Sequence, residues 1–352
     1  MCSYMRSVFI DLLRVVLCIG VVVFHYTYAN CCSGQFMVAG FFVLGGFLLG
    51  CSFEKMSDFN VNLYYSQKLR RLMPLYAIAL LLGVISIYAK KFLLPSEYSF
   101  FPTFLPIEWE NLNLAKLVQH YNATFWFMIP YFVFIIGGPF LWFCYKSGSS
   151  LGVHLLLLAL FGVALLMYCK INNGNILGGG CKGLYYSSLY RMWQLIAGLS
   201  LAKIVFSRKI CKFIKSTVNS KIVICFFLFF AIVAYYSMVT PESLFLGLAS
   251  RTLVGDVLSV VFFSLLIPVF YFGNVKLPVS LVKLVSYSAT ITYPLYLIHD
   301  IVFNFRRIPV ILFDIILSEK LVCVLSFIVS IIVSIILLRI ENKLFCVKNK
   351  NV

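Results

Sequence analysis

Long apolar runs separated by short polar stretches dominate the chain. Ten runs can be outlined, and most have the length of about 17 to 25 residues that an α-helix needs to cross a bilayer. They lie at 7–29, 35–53, 71–90, 121–145, 149–169, 185–206, 222–239, 245–272, 287–305 and 321–338. The pattern predicts an all-α membrane protein with about ten transmembrane helices. We expect one transmembrane domain over residues 1–352, with no appended soluble domain.

The composition also favours a chain that folds in lipid. Hydrophobic residues make up 62% and charged residues 12% of the 352 residues, and the mean hydropathy is +0.98. Soluble domains have about 45–50% apolar and about 25% charged residues, so this chain has too little polar surface for water. Soluble enzyme folds, disordered scaffolds and secreted disulfide proteins are therefore excluded. The twelve cysteines form no paired metal-binding pattern, and no metal is expected.

The net charge of +17 is explained mainly by topology rather than by a nucleic-acid partner. Ten crossings place both termini on one side of the membrane. The loops on that side contain 17 Lys and Arg and three acidic residues, against eight and six on the other side. Because cytoplasmic loops collect Lys and Arg, both termini are predicted to be cytoplasmic. No nucleic-acid partner is expected.

The first apolar run contains three ionisable residues, Asp11, Arg14 and His25. On a helix, Arg14 and His25 lie within about 20° of one face and about 16 Å apart along the axis. Asp11, Cys18 and His25 follow at steps of seven and extend that face. Ionisable groups in lipid are costly, so the face is predicted to be functional and to line a cavity or a partner helix. The alternative is an Asp11–Arg14 ion pair near an interface, with His25 as a packing residue.

Cations also cluster at the start of the third run, where Lys68, Arg70 and Arg71 precede Pro74. Such a cluster suits phosphate or pyrophosphate, because guanidinium groups match phosphate oxygens. Anchoring of the helix at the cytoplasmic face explains it equally well.

A few further ionisable residues fall inside later runs. Arg251 and Asp256 are five residues apart, so they cannot pair on one helix without help from other helices. The others are Arg191, His299 and Asp300.

Six segments, in order over almost the whole chain, resemble the acyltransferase-3 family of integral-membrane acyltransferases, which often O-acetylate cell-surface sugars. The segments are Asp11–Arg14 with Phe24–His25, Phe41–Leu48, Lys68–Tyr76, Phe125–Met128, Tyr190–Gly198, and Ser286–Ser288 with Tyr296–His299. They are similar to the family's opening Arg and His helix and to its FFVLSGFLI, RxxRIxPLY, WFL/WSL, RxxEFxxG and SYxLYLIH segments. Three positions depart from the patterns: Gly45 replaces a Ser, Lys68 an Arg, and Gln194 an acidic residue.

The resemblance implies an enzyme of the bacterial inner (plasma) membrane that moves an acetyl or other acyl group from cytoplasmic acetyl-CoA to a hydroxyl of a cell-surface or lipid-linked sugar. His25 would be the catalytic group, as a general base or as a covalent acyl carrier. Asp11, on the same helix face, is the second catalytic candidate. The phosphates of acetyl-CoA would be contacted by Arg14, Lys68, Arg70 and Arg71.

The acceptor would be contacted by Trp126, Arg191 and His299. The expected partners are an acyl-CoA, a carbohydrate or lipid-linked glycan, and membrane lipid. The residues also leave open a polytopic transporter or permease whose polar face conducts protons or an anion. The lack of a visible inverted repeat counts against that alternative.

Overall fold

The computed structural model describes residues 7–26, 33–93, 125–146, 151–173, 184, 187–239, 253–273, 275, 277–305 and 318–344. Across these ranges the chain is helical and contains no β-strand, which confirms the all-α prediction. A 3₁₀ turn spans Phe125–Phe127. The α-helices are α1 (Val8–Tyr26), α2 (Ser33–Lys55), α3 (Val61–Leu93), α4 (Met128–Ile136), α5 (Gly138–Lys146), α6 (Leu151–Ile171), α7 (Ser188–Val205), α8 (Arg208–Thr217), α9 (Ser220–Val239), α10 (Leu253–Phe272), α11 (Val279–Asn304) and α12 (Glu319–Leu344).

Within the described ranges, eight helices are long and apolar enough to cross a membrane: α1, α2, α3, α6, α9, α10, α11 and α12. Helices α4 and α5 are bent by 62° relative to each other and make a ninth candidate if they form one span. Helix α7, the predicted sixth crossing, is not among the candidates and contains Arg191, Gln194 and Lys203. The prediction of a helical membrane protein is confirmed, with eight or nine candidate spans. The cytoplasmic position of the termini stays a prediction.

Three runs differ most from the hydropathy pattern in their boundaries or continuity. Helix α3 begins at Val61 rather than at 71, and α11 begins at Val279 rather than at 287. An apolar pattern reports the part of a helix that suits lipid, whereas backbone hydrogen bonding continues the helix into polar sequence. The run 121–145 is broken at Gly137, shortly before Pro139, whose missing N–H cannot bond to a carbonyl of the preceding turn.

Some predicted positions lie outside the described residues. These are 27–29, 121–124, 149–150, 185–186 and 245–252, and the last range contains Arg251.

The chain divides into two compact units. The first consists of Met1–Asn60 and Val133–Thr290, and the second of Val61–Phe132 and Ile291–Val352. In the first unit α2 packs against α1, α7 and α10, and α7 also packs against α6. In the second unit α3 packs against α12. Helices α2 and α7 thus form the centre of the first unit.

Helices α2 and α7 cross with their backbones in direct contact. A Cβ atom on Gly46 would lie 1.8 Å from the carbonyl oxygen of Leu195, and one on Gly198 would lie 1.9 Å from that of Val43. No side chain fits at either position. Small residues allow this approach, and van der Waals packing is a main source of helix association where lipid is as apolar as the helix surface.

Contacts along these helices define their directions within the first unit. Phe24 of α1 lies against Gly34 of α2, and Leu17 lies against Gly40, so α1 and α2 are antiparallel. Helices α7 and α10 run in the same direction as α2, as shown by the contacts Gly46–Leu195, Gly50–Ala202, Gly40–Phe263 and Phe47–Tyr271. The C-terminal end of α1 therefore lies at the same end of the unit as the first turns of α2, α7 and α10.

Candidate functional site

The three ionisable residues of the first run lie on one uninterrupted helix, α1, as predicted. Asp11 is 3% exposed, and its Oδ1 lies 3.8 Å from Nη1 of Arg14. The Ser286 hydroxyl of α11 donates to the other carboxylate oxygen of Asp11 at 3.4 Å. His25 is half-buried near the opposite end of α1, and its ring meets that of Phe24 edge-on at 5.3 Å. Helix α1 thus has a charged pair at one end and an imidazole at the other.

The separation along α1 limits what Asp11 can do for His25. Fourteen residues of α-helix measure about 21 Å, so Asp11 cannot hydrogen-bond to His25 on the same helix. Its contact with Arg14 instead holds that guanidinium near the N-terminal end. In the described geometry Asp11 is a positioning residue for Arg14, and its catalytic assignment stays a prediction.

A second polar cluster joins α7 to α10, at the end of the unit where α1 ends. Nη1 of Arg191 lies 2.9 Å from Oδ1 of Asp256 and 3.3 Å from Oε1 of Gln194. The Tyr190 hydroxyl donates to the other carboxylate oxygen of Asp256 at 2.9 Å. All four side chains are completely buried. Ser187 accepts from the Tyr190 N–H as the N-cap of α7, which places Arg191 in the first turn of that helix.

In this cluster Asp256 has an ion-pair partner that the sequence did not identify. Asp256 requires a cation from another helix, and the structure provides Arg191, while Arg251 lies outside the described residues. The acidic residue of the family pattern is replaced by Gln194, so the negative charge beside Arg191 comes from α10 instead. The sequence indicated this pair only through one Arg and one Asp, Arg191 and Asp256, in two separate apolar runs. The pattern within each run does not show which helices pack together. The role of Arg191 as an acceptor contact stays a prediction.

The cations at the start of α3 belong to the second unit. Arg70 and Arg71 are exposed, whereas Lys68 is half-buried with its Nζ 5.9 Å from the centre of the Tyr64 ring. Glu341 of α12 lies within electrostatic range of Arg71. The two exposed guanidinium groups can therefore reach an anion outside the protein, with an acidic side chain close to one of them.

A hydrogen bond ties α11 to this part of α3. The Tyr293 hydroxyl donates to the backbone carbonyl of Leu72 at 2.8 Å, two residues before Pro74. Pro74 removes one bond from the helical ladder, so the helix is weakest near this point. The bond from Tyr293 stabilises α3 next to its cations.

Aromatic rings connect the two predicted acceptor residues of the second unit. Trp126, 4% exposed, lies in the 3₁₀ turn with its ring 6.1 Å from that of Phe127. The Phe127 ring lies 4.7 Å from Tyr296, which lies 5.8 Å from His299. Buried His299 has its Nδ1 3.1 Å from the carbonyl oxygen of Leu295. Because a carbonyl only accepts, Nδ1 carries the proton in this bond, and Nε2 is the basic nitrogen of the neutral ring.

Comparison with known proteins assigns almost the whole chain to one family model. The model, described as an acyltransferase domain, matches residues 7–339 and so includes every predicted site residue. No curated protein and no solved structure matches the chain.

Proposed function

The chain belongs to the acyltransferase-3 family and is a membrane acyltransferase, and we propose that it transfers an acetyl group from acetyl-CoA to a hydroxyl of a cell-surface or lipid-linked sugar. The observation that supports this finer assignment is α1, an apolar helix with an ion pair near one end and a half-buried imidazole near the other. The family match favours this function over the transporter alternative, which would need no acyl donor.

The proposal assigns the phosphates of acetyl-CoA to Arg14 and to the cations of α3, which are Lys68, Arg70 and Arg71. The Arg14 side chain is 22% exposed, and Arg70 and Arg71 are exposed, so all three guanidinium groups can be approached by a polar ligand. From Arg14 the pantetheine arm extends along α1 toward His25, a distance of about 16 Å on an α-helix. With the termini in the cytoplasm, the Arg14 end of α1 faces the compartment that contains acetyl-CoA.

Either of two reactions at His25 accounts for transfer. As a general base, a neutral imidazole nitrogen accepts the proton of the sugar hydroxyl while the hydroxyl oxygen attacks the thioester carbonyl carbon. The carbon–sulfur bond breaks, and the CoA thiolate leaves and takes up a proton from the imidazolium. In this reaction acetyl-CoA and the sugar are both bound when the acetyl group is transferred.

As an acyl carrier, the imidazole nitrogen itself attacks the thioester carbon and the carbon–sulfur bond breaks, which produces an acetyl-imidazolium and the CoA thiolate. The thiolate takes up a proton from water. The sugar hydroxyl then attacks that acyl carbon, loses its proton to water, and the imidazole departs as the leaving group. This route releases one CoA per protein before any acceptor binds, whereas the general-base route releases none.

The acceptor is assigned to Trp126, Arg191 and His299, as the family resemblance implies. The ring series from Trp126 to His299 supports the assignment in the second unit, because it connects the two residues through packed aromatic rings and ends at a histidine that has one basic nitrogen. No metal has a part in the proposal.

The decisive experiment measures transfer of radiolabelled acetyl groups from acetyl-CoA to membrane glycan by inside-out vesicles that contain the full chain. We expect His25→Ala to abolish transfer at unchanged protein level, because both reactions need the imidazole. His154→Ala is the matched control. His154 is also a half-buried helical histidine of the first unit, and its Nδ1 bonds to the Ser200 hydroxyl.

Transfer that persists in His25→Ala would contradict the role of His25. Wild-type vesicles that move a solute without consuming acetyl-CoA would support the transporter instead. Release of one CoA per protein without acceptor would select the acyl-carrier reaction.

A further inference from the structure

Helix α8 divides into a cationic side and an apolar side. At 100° per residue, Arg208, Lys209, Lys212 and Lys215 fall within an arc of about 120°. Ile210, Phe213 and Ile214 fall within an arc of about 100° on the other side. No residue of the helix is buried, and the exposed fraction is 67% for Phe213 and 38% for Ile210. The hydropathy pattern did not include this helix because polar residues interrupt every apolar stretch within it.

The ends of two candidate spans place α8 at the boundary of the membrane. Helix α9 begins at Ser220, three residues after α8 ends at Thr217, and is itself a candidate span. Nζ of Lys215 lies 5.7 Å from the ring centre of Phe272, the last residue of candidate span α10. A helix of ten residues is about 15 Å long, half the thickness of the hydrocarbon core, so α8 cannot cross.

We propose that α8 lies in the plane of the membrane surface and binds the phosphate groups of anionic phospholipids. Its apolar side enters the boundary between headgroups and acyl chains, which removes Phe213 and Ile210 from water. Its cations meet the phosphates, and Arg208 can bind two phosphate oxygens at once. The leaflet is the one predicted to face the cytoplasm.

Charge in the surrounding sequence supports an anionic partner. Residues 207–221 contain five Lys and Arg and no Asp or Glu, so the segment has a formal net charge of +5. Each cation close to an anionic bilayer surface increases association about fivefold. Together, three lysines are expected to change the relative binding of anionic lipid by up to about two orders of magnitude. This surface is independent of the acyltransfer chemistry, since lipid binding is measured without either substrate.

The test places the full-length protein in nanodiscs of phosphatidylcholine that contain a graded fraction of phosphatidylglycerol, and counts retained lipids by native mass spectrometry. One variant neutralises three lysines of α8: Lys209→Gln, Lys212→Gln and Lys215→Gln. A matched control neutralises three exposed lysines of other helices: Lys170→Gln, Lys320→Gln and Lys343→Gln. We expect the preference for phosphatidylglycerol to fall steeply in the first variant and to change less than about fivefold in the control. If the triple variant does not fold, single Lys212→Gln protein is compared with single Lys170→Gln protein, and a loss of about fivefold is expected only in the former.

A second measurement tests the apolar side. In nanodiscs of acyl-chain-brominated lipid, the fluorescence that Phe213→Trp adds to the wild-type signal should be quenched. Equal retention of phosphatidylglycerol by the wild type and the α8 variant would overturn the proposal, as would an equal loss in the control. An unquenched signal from Phe213→Trp would also overturn it, because the apolar side would then lie in water.

Discussion

Nη1 of Arg191 lies 2.9 Å from Oδ1 of Asp256, and neither side chain has any surface exposed to solvent. The pair joins the first turns of α7 and α10, and its contacts with Tyr190 and Gln194 are also buried. A buried ion pair adds little compared with apolar packing, but removal of one partner leaves an uncompensated charge. The pair therefore constrains the position of two helices at the end of the first unit where His25 lies.

Asp256→Asn should lower the stability of the protein strongly, because Arg191 would remain buried without its counter-charge. The expected loss is about 3 to 5 kcal/mol, the range for breaking a buried pair by removing one partner. Thermal unfolding in detergent measures it as a lower Tm. Asp58→Asn, at an exposed position, is the control and should change stability by less than about 0.5 kcal/mol. Equal Tm values for the two variants would refute the structural importance of the pair.

A carboxylate at position 194 should rescue Asp256→Asn. Oε1 of Gln194 is already 3.3 Å from Nη1 of Arg191, so Gln194→Glu provides a negative charge at nearly the same place and restores the family pattern. In a double-mutant cycle, we expect the double variant to recover much of the lost stability and of the acetyl transfer. Gln194→Glu alone should bring no gain, since two carboxylates would then share one guanidinium. A double variant no more stable than Asp256→Asn would show that the position of the charge matters more than its presence.

The crossing of α2 and α7 should tolerate no side chain at Gly198. Its Cβ would lie 1.9 Å from a backbone oxygen, and backbone cannot rotate away as a flexible side chain can. Overpacking of this kind costs about 1 to 3 kcal/mol or more, so Gly198→Ala should reduce the yield of monodisperse protein and its Tm. Gly162→Ala is the matched control within a helix, because the added Cβ would have no neighbour within 4 Å beyond the adjoining residues and backbone of its own helix. That variant should be as stable as the wild type or slightly more stable. Similar losses in both variants would indicate a general effect of replacing glycine.

Arg70→Gln should weaken the binding of acetyl-CoA without loss of the folded protein. Arg70 is exposed at the start of α3, and a hydrogen bond to a charged group contributes about 1.5 to 3 kcal/mol, or roughly tenfold to hundredfold in binding. KM for acetyl-CoA should rise by about that factor, and the rise should shrink at high salt. Lys55→Gln, also exposed, should leave KM unchanged. A KM that is the same in Arg70→Gln and the wild type would remove Arg70 from the proposed donor site.

The predicted topology can be checked with reporter fusions. A fluorescent protein fused after residue 352 or inserted after residue 218 should fluoresce, because both positions are predicted to be cytoplasmic. Alkaline phosphatase fused after residue 172 should be active, because that loop is predicted to lie outside. The reverse result would show that the chain has the opposite orientation in the membrane. Helix α8 would then contact the other leaflet.

The candidate site could be predicted only in part from the sequence. The alignment of Asp11, Arg14 and His25 depends on spacing along one helix, and α1 is uninterrupted over that distance, so the prediction of a shared face holds. The sequence allowed an ion pair and a functional face as alternatives. The structure contains the pair between Asp11 and Arg14, and the role of His25 stays a prediction. The partner of Asp256 could not be predicted, because it lies 65 residues away on another helix.

By itself the sequence determined that this chain is helical and membrane-embedded, since the length and apolarity of a span are local properties that the bilayer imposes on each segment separately. It also contained the family patterns that the match over residues 7–339 confirmed. Only the tertiary structure decided which helices meet. The contact of Gly46 and Gly198 with opposing backbone, and the pairing of Arg191 with Asp256, depend on close approach between helices distant in sequence. Within lipid that approach is set by packing and by buried polar partners rather than by the hydrophobic pattern of any one helix.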